Sequence, residues 1–341
     1  MTPGQAVSDL VSCGFLDEVS GDPCDMVGRP GPEAGGWQPI AQALSIVFPG
    51  AFCWPTKHGV TVNRGPNVLL RIVTPEYHAA SAGPASLVSS LVGRQVPRNA
   101  GVAARMAWDW IGPRDRPNAA GDAALLHNGR IPRYHSCQPG KGTVGVLHDI
   151  RRCYPQIMRR LPSLRARVTS DRVFFVPFKP DERARLADLY AAMEQDELLR
   201  RYAWGTALGG EPGAKIPLFV AGEKRQHTVP AGPFRTGALL VARMAWELTR
   251  AAATETGAVY ANTDCVIIPG PASLAPAPWR AVGVESAVKA SGDYDIIRYC
   301  VYRVGDYATI PYRAPVGDQS RPKRYGYGPD PERWFYPSIL A

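Results

Sequence analysis

Two short apolar segments, each followed or ended by an aspartate, constrain the fold of this chain most strongly. Residues 143–150 read Thr-Val-Gly-Val-Leu-His-Asp-Ile, which predicts a buried strand with Asp149 near its end and a helix directly after it. Residues 257–268 contain two apolar strands joined by Asn-Thr-Asp, the pattern of a tight β-hairpin with Asp264 at its tip. Both carboxylates are therefore expected at rigid strand ends.

The rest of the periodicity predicts an α+β fold with an antiparallel sheet covered by helices. Helices are expected over residues 37–48, 99–111, 153–160, 181–202 and 234–255, and strands over residues 59–62, 68–73, 172–178, 294–304 and 306–312. Strands and helices alternate irregularly, which favours α+β over a parallel α/β sheet. Residues 1–35 are rich in Gly, Pro and Asp, and we expect a loop or a loosely attached arm there.

Composition and charge narrow the classes of partner. The net charge is +9, and 28 Lys and Arg against 20 Asp and Glu lie after residue 140, so the later part holds nearly all of the excess. Such a balance favours a polyanionic partner.

The seven cysteines form no CxxC pair, which predicts reduced thiols rather than a disulfide framework or a zinc site. With no membrane-length apolar segment and no signal peptide pattern, we expect a cytoplasmic protein without a membrane partner.

Two carboxylates on neighbouring strands have a specific chemical use. Asp149 and Asp264 together can hold a pair of Mg²⁺ ions about 3.5–4 Å apart, the arrangement that stabilises the attacking and leaving oxygens in phosphoryl transfer. The alternative interpretation is that both are ordinary turn residues at strand ends. The sequence around each aspartate distinguishes between the two.

The sequence around both aspartates resembles conserved motifs of family B DNA polymerases. From Asp149 the chain reads Asp-Ile-x-x-x-Tyr-Pro-x-x-Met and resembles motif A, normally close to DxxSLYPSIM. From Tyr260 it reads Tyr-x-Asn-Thr-Asp-Cys and resembles motif C, YxDTDS. The two motifs occur in the order of a polymerase palm and about 115 residues apart. Two further parts of the sequence resemble the small protein-primed phage polymerases. Residues 232–243 are similar to the segment that precedes their motif C, and Tyr134 lies at a similar position before motif A.

The resemblance covers about residues 130–304 and departs from the family at two places. Motif C has Asn262 where the family usually has its first Asp. Residues 201–209 fall on the spacing of motif B, KxxxNSxYG, with Arg201 at the Lys position but Gly205 and Leu208 at the Asn and Tyr positions. The second departure bears on nucleotide selection, and the first leaves the family's indispensable ligand, here Asp264, in place.

The resemblance implies a division of the chain. We expect a loop or arm over residues 1–35, a small N-terminal region over 36–130, a polymerase palm over 131–312 with short fingers at about 163–215, and a basic, aromatic tail over 313–341. Residues 1–140 contain no Asp-x-Glu motif on an apolar strand, so proofreading is not expected. From the length of sequence given after residue 268, we expect no full thumb domain.

The resemblance also implies a role for each residue of the site. Asp149 and Asp264 would hold two Mg²⁺ ions, or Mn²⁺ in their place, with the backbone carbonyl of Ile150 as an additional ligand. Tyr154 would lie beneath the incoming sugar and exclude a 2′-hydroxyl. Arg201 would contact the triphosphate, because a guanidinium makes bidentate contacts to phosphate. The structural alternatives are a core aromatic residue for Tyr154 and a solvated helix face for Arg201.

Seven further basic residues are candidates for contacts with phosphates. Two follow the catalytic strand and could meet the nucleotide, three recur along one face of the helix over 234–255, and two lie in the C-terminal tail: Arg151 and Arg152, then Arg235, Arg243 and Arg250, then Lys323 and Arg324. The helix and tail residues could track a nucleic-acid backbone. A solvated helix face, or a tail packed on the palm, is the alternative.

The function implied by the resemblance is that of a reduced family B DNA polymerase. It would add deoxynucleotides to a primer 3′ end by two-metal phosphoryl transfer, with primer–template DNA and dNTPs as partners and a processivity or priming protein as a further candidate. The alternatives are a primase-like or terminal nucleotidyltransferase and a catalytically inactive palm that binds nucleic acid. Asn262 and the degenerate motif B favour these alternatives, whereas Asp149, Asp264 and Tyr154 favour the polymerase.

Overall fold

The computed structural model describes residues 1–65, 67–115, 118–169, 172–210, 214–271 and 274–309. The helices are α1 (Pro3–Ser12), α2 (Trp37–Val47), α3 (Pro75–Ala80), α4 (Ala82–Val92), α5 (Ala100–Ile111), α6 (Ala119–Leu125), α7 (Cys153–Arg160), α8 (Pro180–Gln195), α9 (Glu197–Leu208), α10 (Arg235–Thr256) and α11 (Ala277–Ala281). The strands are β1 (Leu16–Ser20), β2 (Met26–Pro30), β3 (Phe52–Thr56), β4 (Gly59–Arg64), β5 (Asn67–Val73), β6 (His135–Cys137), β7 (Gly140–Ile150), β8 (Ala166–Val168), β9 (Val173–Phe175), β10 (Lys215–Val220), β11 (Glu223–Thr228), β12 (Tyr260–Asn262), β13 (Cys265–Pro269), β14 (Ser286–Arg298), β15 (Val301–Val304) and β16 (Tyr307–Ala308). The predicted α+β class is confirmed.

The chain forms two compact units. The first comprises Met1–Arg114 and Pro180–Pro233, and the second comprises Asp115–Lys179 and the chain from Phe234 onward. Each unit is therefore built from two separate stretches of sequence. The first unit includes part of the range that the sequence analysis assigns to the palm and its fingers, and the predicted domain limits stay a prediction.

The first unit is built on a seven-stranded sheet in the order β1-β2-β5-β4-β3-β10-β11. The pair β2–β5 is parallel, and the other neighbouring strands are antiparallel. Apolar side chains of β3, β4 and β5 pack against α1 and α2 in one core, which includes Leu44, Cys53, Val62 and Leu70. Strand β10 joins this sheet through β3, so residues distant in sequence share one layer.

The expected loop or arm over residues 1–35 is wrong. Helix α1 begins after Thr2, whose hydroxyl accepts a hydrogen bond from the Gln5 N–H (3.2 Å). Its residues Ala6 and Val7 and the strand residue Leu16 are buried in the core of the first unit. Helix α1 and strand β1 are short and bury only a few side chains. Neither therefore gives a long periodic pattern of apolar residues in the sequence.

The helix predicted over residues 181–202 is two helices. Helix α8 ends at Gln195, and the Asp196 carboxylate accepts a hydrogen bond from the Leu199 N–H (2.7 Å), which starts α9. Aspartate is a preferred N-cap because its side chain satisfies a free N–H of the first turn. Helix α9 packs against α5, where the Trp108 indole N–H donates to the Ala203 carbonyl (2.8 Å).

The second unit is built on a fully antiparallel seven-stranded sheet in the order β16-β15-β14-β7-β13-β12-β6. Helix α10 packs on β12 and β13, and α6, α7 and α11 pack on α10. The predicted hairpin is confirmed as β12–β13. The strand predicted over 294–304 is instead the end of β14 and all of β15, separated by a turn in which Cys300 has φ 61°.

Helix α10 is buried along most of its length, which forces a charged pair into the interior. Arg243 and Glu247 are 2% and 0% exposed, and their side chains are 2.9 Å apart. The Arg243 guanidinium also lies over the Trp246 ring, 4.7 Å from its centroid. A buried ion of either sign left without its partner is costly. The pair therefore acts as one unit.

We expect Arg243→Ala and Glu247→Ala each to lower the free energy of unfolding by about 3–5 kcal/mol, because each removes one charge of a buried ion pair. The double variant should lose much less than the sum of the two losses. Urea unfolding of both single variants and the double variant measures this coupling. The exposed pair Arg201–Glu197 has the same i,i+4 spacing and serves as the control, at about 0.5 kcal/mol or less. If the losses in free energy of unfolding at positions 243 and 247 were additive, Arg243 and Glu247 would not be a coupled pair.

Candidate active site

Asp149 lies near the end of β7, a strand in the interior of the second unit's sheet. Strand β7 pairs with β14 on one side and with β13 on the other, so its backbone is held in two ladders. The next residue, Ile150, is buried and donates its N–H to the Asp264 carbonyl (2.8 Å). This bond joins the two aspartate-bearing segments at the point where their side chains emerge.

Asp264 is fixed at the hairpin tip by contacts with three parts of the second unit. Thr263, in the left-handed region with φ 53°, donates its N–H to the Tyr134 carbonyl (2.9 Å). The Thr249 hydroxyl of α10 donates to the Thr263 carbonyl (2.8 Å). The Asp264 N–H closes the turn on the Asn262 carbonyl (2.5 Å). The turn therefore presents Asp264 in one orientation.

The sheet brings the two predicted aspartates together. One ligand atom each from Asp149, Asp264 and Cys265 lies within 4.8 Å of the other two. Carboxylate oxygens are the ligands that Mg²⁺ prefers, and Mg²⁺ is usually held by one or two carboxylates together with substrate phosphates. The pair of aspartates therefore fits the predicted divalent cation. The Ile150 carbonyl stays a predicted ligand.

Lys289 is a charged residue of the site that the sequence analysis missed. Its ammonium group donates to the Asp149 carboxylate (3.1 Å). The pairing of β14 with β7 shifts register between Val288 and Ala290, so Lys289 sits in a bulge of β14. Bulges often turn a side chain towards a functional site. An isolated Lys on an alternating strand carries no such signal in the sequence.

The charges of the site act on one another because they are partly withdrawn from water. Burial and the neighbouring Asp149 charge raise the pKa of Asp264 to about 7, and Lys289 opposes that rise. Burial and both carboxylates also raise the pKa values of the Cys153 and Cys265 thiols. Burial lowers the pKa of Lys289, whereas the charge of Asp149 and its hydrogen bond raise it. The pKa of Lys289 is raised overall. A bound cation would relieve the repulsion.

Asn262 is engaged by a separate polar cluster. Its side-chain oxygen accepts hydrogen bonds from the Tyr299 hydroxyl (2.7 Å) and from the Thr263 hydroxyl (3.0 Å). The ring of His135 stacks edge-on against Tyr299 at 4.4 Å, and burial lowers the pKa of His135 to about 4. These two hydrogen bonds to the Asn262 side chain hold the start of the hairpin turn. An Asp in place of Asn262 could accept the same two bonds.

The four residues predicted to contact the nucleotide differ in burial and in location. Tyr154 is half-buried in the first turn of α7, shortly after the end of β7. Arg151 and Arg152 are exposed, and Arg152 has φ 50° at the N-cap of that helix. Arg201 belongs to the first unit, where it is exposed and forms an ion pair with Glu197. Its contact with a triphosphate stays a prediction.

The predicted nucleic-acid contacts along the helix over 234–255 need correction. Arg235 is 12% exposed and pairs with Asp122 at 3.3 Å, and Arg243 forms the buried pair described above. Both therefore stabilise the interior of the second unit and cannot track a nucleic-acid backbone. Arg250 is half-buried, 5.4 Å from the Trp246 ring centroid. The periodicity of these arginines was visible in the sequence, but the burial of their helix face was not. Lys323 and Arg324 lie outside the described residues.

Comparison with known proteins gives matches at the level of structure alone. No protein-family model and no curated protein matches the sequence. Phi29 DNA polymerase complexed with single-stranded DNA aligns with a TM-score of 0.46 and 10% identity over 73% of this chain and 70% of that chain. The same polymerase with primer-template DNA gives the same values. The family B DNA polymerase of the archaeon Pyrobaculum calidifontis gives 0.32 and 11%, over 64% and 34%. These are distant likenesses.

None of the helices in the described residues is both long enough and apolar enough to cross a bilayer.

We expect cation binding to weaken as the pH falls below about 7, because a divalent ion must displace the proton that Asp264 holds in the metal-free protein. Release of one proton predicts a loss of about tenfold in Mn²⁺ affinity per pH unit below that value and a plateau above it. Titrations of Mn²⁺ between pH 5.5 and 8.5, followed by the EPR signal of the free ion, measure the profile. Asp264→Asn should remove the pH dependence, and a flat wild-type profile would contradict the electrostatic account.

We expect Lys289→Met to raise the affinity for Mn²⁺ by about three- to tenfold, because it removes a half-exposed positive charge that competes for Asp149. Lys141→Met is the matched control, since Lys141 pairs at 3.5 Å with Asp295 on the same sheet. The control should bind Mn²⁺ as the wild type does. Equal effects of the two substitutions would mean that Lys289 acts only through the net charge of the protein.

Proposed function

We propose that this protein is a nucleotidyltransferase that adds deoxynucleotides to a primer 3′ end, a reduced DNA polymerase of the family B type. The observation that carries the proposal is the meeting of Asp149 and Asp264 on neighbouring antiparallel strands, with ligand atoms within 4.8 Å. Two segments about 115 residues apart in sequence converge on one acidic site. The sequence motifs that predict such a site are those of a polymerase palm.

The two aspartates are the groups that would hold the divalent ions. The chemistry that Mg²⁺ bound there would supply is a lower pKa of an attacking hydroxyl and stabilisation of the charge on the transferring phosphate. Asp149 is held by two strand ladders and Asp264 by the hairpin turn, so the carboxylates need little reorganisation. Lys289 would hold the Asp149 carboxylate in position before a substrate arrives. Preorganised charge of this kind is a large part of catalysis.

The proposal assigns the nucleotide contacts to residues that follow Asp149. Tyr154 stands in the first turn of α7, where its ring could lie against the sugar. Arg151 and Arg152 present two exposed guanidinium groups between the strand and that helix, where phosphate oxygens could bind them. The positive net charge supports binding of primer–template DNA. A processivity or priming protein is a further candidate partner.

We expect Asp149→Asn and Asp264→Asn each to slow primer extension by at least about a hundredfold, since each removes a charged ligand from the site. The measurement is extension of a labelled primer with Mg²⁺ and dNTPs, with and without template. Asp293→Asn removes an exposed carboxylate that pairs with Arg303 on the same sheet and should extend normally.

Circular dichroism should show that the variants of Asp149 and Asp264 remain folded, because each loses a charge from a repelling pair. Near wild-type extension by either variant would rule out the metal-site assignment. An inactive wild type that still binds primer–template DNA would favour a nucleic-acid-binding palm. Extension without template, or equal use of rNTPs, would favour the terminal-transferase or primase-like alternative.

We expect Tyr154→Ala to raise ribonucleotide insertion relative to deoxynucleotide insertion by at least about tenfold, which corresponds to about 1.4 kcal/mol of lost discrimination. The physical reason is that the ring would leave no room for a 2′-hydroxyl. Single insertions on one primer give the ratio, and a folding defect alone would lower both rates together. Tyr154→Phe keeps the ring and should keep the ratio. An unchanged ratio for the Ala variant would make Tyr154 a packing residue.

A further inference from the structure

The Cys265 thiol lies inside the candidate metal site. Cys265 stands opposite Asp149 in the pairing of β13 with β7, so the two side chains leave the same face of the sheet. Its sulfur and one carboxylate oxygen from each aspartate lie within 4.8 Å of one another. A tetrahedral cation with bonds of about 2.0–2.3 Å holds its ligand atoms about 3.5 Å apart. Small side-chain rotations would therefore bring the three atoms onto one ion.

We propose that Cys265 makes this an Asp-Asp-Cys site that binds thiophilic divalent cations, of the class of Zn²⁺ and Cd²⁺, through sulfur. Such an ion would compete with the Mg²⁺ of the proposed function, and the inference rests on that function only in naming the competing ion. The sequence motifs predict Asp149, Ile150 and Asp264 as metal ligands and give Cys265 no role. The thiol would set which cation the site prefers.

The preference follows from the chemistry of the donor atoms. Mg²⁺ binds oxygen ligands and holds its waters tightly, so a thiol gives it nothing. Zn²⁺ and similar ions accept thiolate, imidazole and carboxylate ligands in four-coordinate sites and gain most from sulfur. On binding, the S–H bond of Cys265 breaks, the cation–sulfur bond forms, and the proton passes to solvent. No electron is transferred, and the ion keeps its charge.

The surroundings of the sulfur are those of an ordered ligand. Cys265 is 6% exposed and packs in the aromatic core of the sheet with Tyr260 and Tyr302. Packing of this kind around the sulfur limits the rotation of the Cys265 side chain. The strand pairing fixes the backbone beneath both Cys265 and Asp149. The thiol therefore faces the carboxylates in a fixed direction.

The test uses Cd²⁺, whose bond to a thiolate gives an ultraviolet charge-transfer band. The parent is the full chain with the exposed thiols Cys13 and Cys24 replaced by Ser, so that they do not bind the ion. We expect the parent to develop the band on addition of one equivalent of Cd²⁺. In Cys265→Ser the band should disappear and the Cd²⁺ affinity should fall by at least about tenfold, with a much smaller change for Mn²⁺.

Cys153→Ala is the matched control. Cys153 is a buried thiol near the same two carboxylates, and its sulfur is outside the three-residue cluster found in the described residues. This variant should keep the band. A parent without the band, a band that survives Cys265→Ser, or a band lost in Cys153→Ala would each overturn the proposal. If Cys265→Ser does not fold, cadmium-113 NMR of the parent decides, because its chemical shift reports whether sulfur binds the ion.

The outcome is separable from that of the proposed function. A parent that shows the band but extends no primer with Mg²⁺ would retain the Asp-Asp-Cys site and lose the polymerase function. A parent that extends primers but shows no band would retain the function and overturn the role of Cys265. Where both hold, Zn²⁺ added to the extension reaction should inhibit the parent at lower concentrations than it inhibits Cys265→Ser.

Discussion

The repulsion between the Asp149 and Asp264 carboxylates is the constraint around which the second unit is organised. Isolated and hydrated, the two groups would separate. Here the pairing of β7 with β13 and the bond from the Ile150 N–H to the Asp264 carbonyl hold them together. The folded protein lowers the cost by keeping a proton on Asp264 up to about pH 7 and by placing Lys289 against Asp149. Metal-free protein should therefore lose stability as the pH rises from about 4 to 7.

The rest of the second unit supplies the rigidity that this arrangement needs. Strand β7 lies inside its sheet, and α10 holds the hairpin tip through Thr249. Within α10, the buried charges of Arg243 and Glu247 form an ion pair with each other. A divalent ion thus enters a framework whose geometry, including that of the Cys265 thiol, is set beforehand. Preorganisation of that kind separates an acidic site from an accidental pair of surface carboxylates.

The parts of this arrangement that the sequence predicts are those with a local pattern. An apolar run ending in Asp149, and a hairpin with Asp264 at its tip, follow from short-range periodicity and turn chemistry alone. Lys289 does not, because a bulge in β14 depends on the register with β7 and leaves no trace in the sequence of β14. The prediction that Arg243 contacts a nucleic-acid backbone is wrong for a related reason. Its spacing shows which helix face it shares, but only the packing of α10 shows that this face is buried.

The stretch between the two aspartates has a consequence for how the protein reaches its native state. The partners β7 and β13 are separated by about 115 residues, and the intervening chain includes Pro180–Pro233, which folds as part of the first unit. Pairing strands so distant in sequence requires a long loop to close before any contact between them forms, which slows folding. During synthesis Asp149 leaves the ribosome long before Asp264 does. Cations that bind both carboxylates can therefore stabilise only states in which β7 and β13 have already paired.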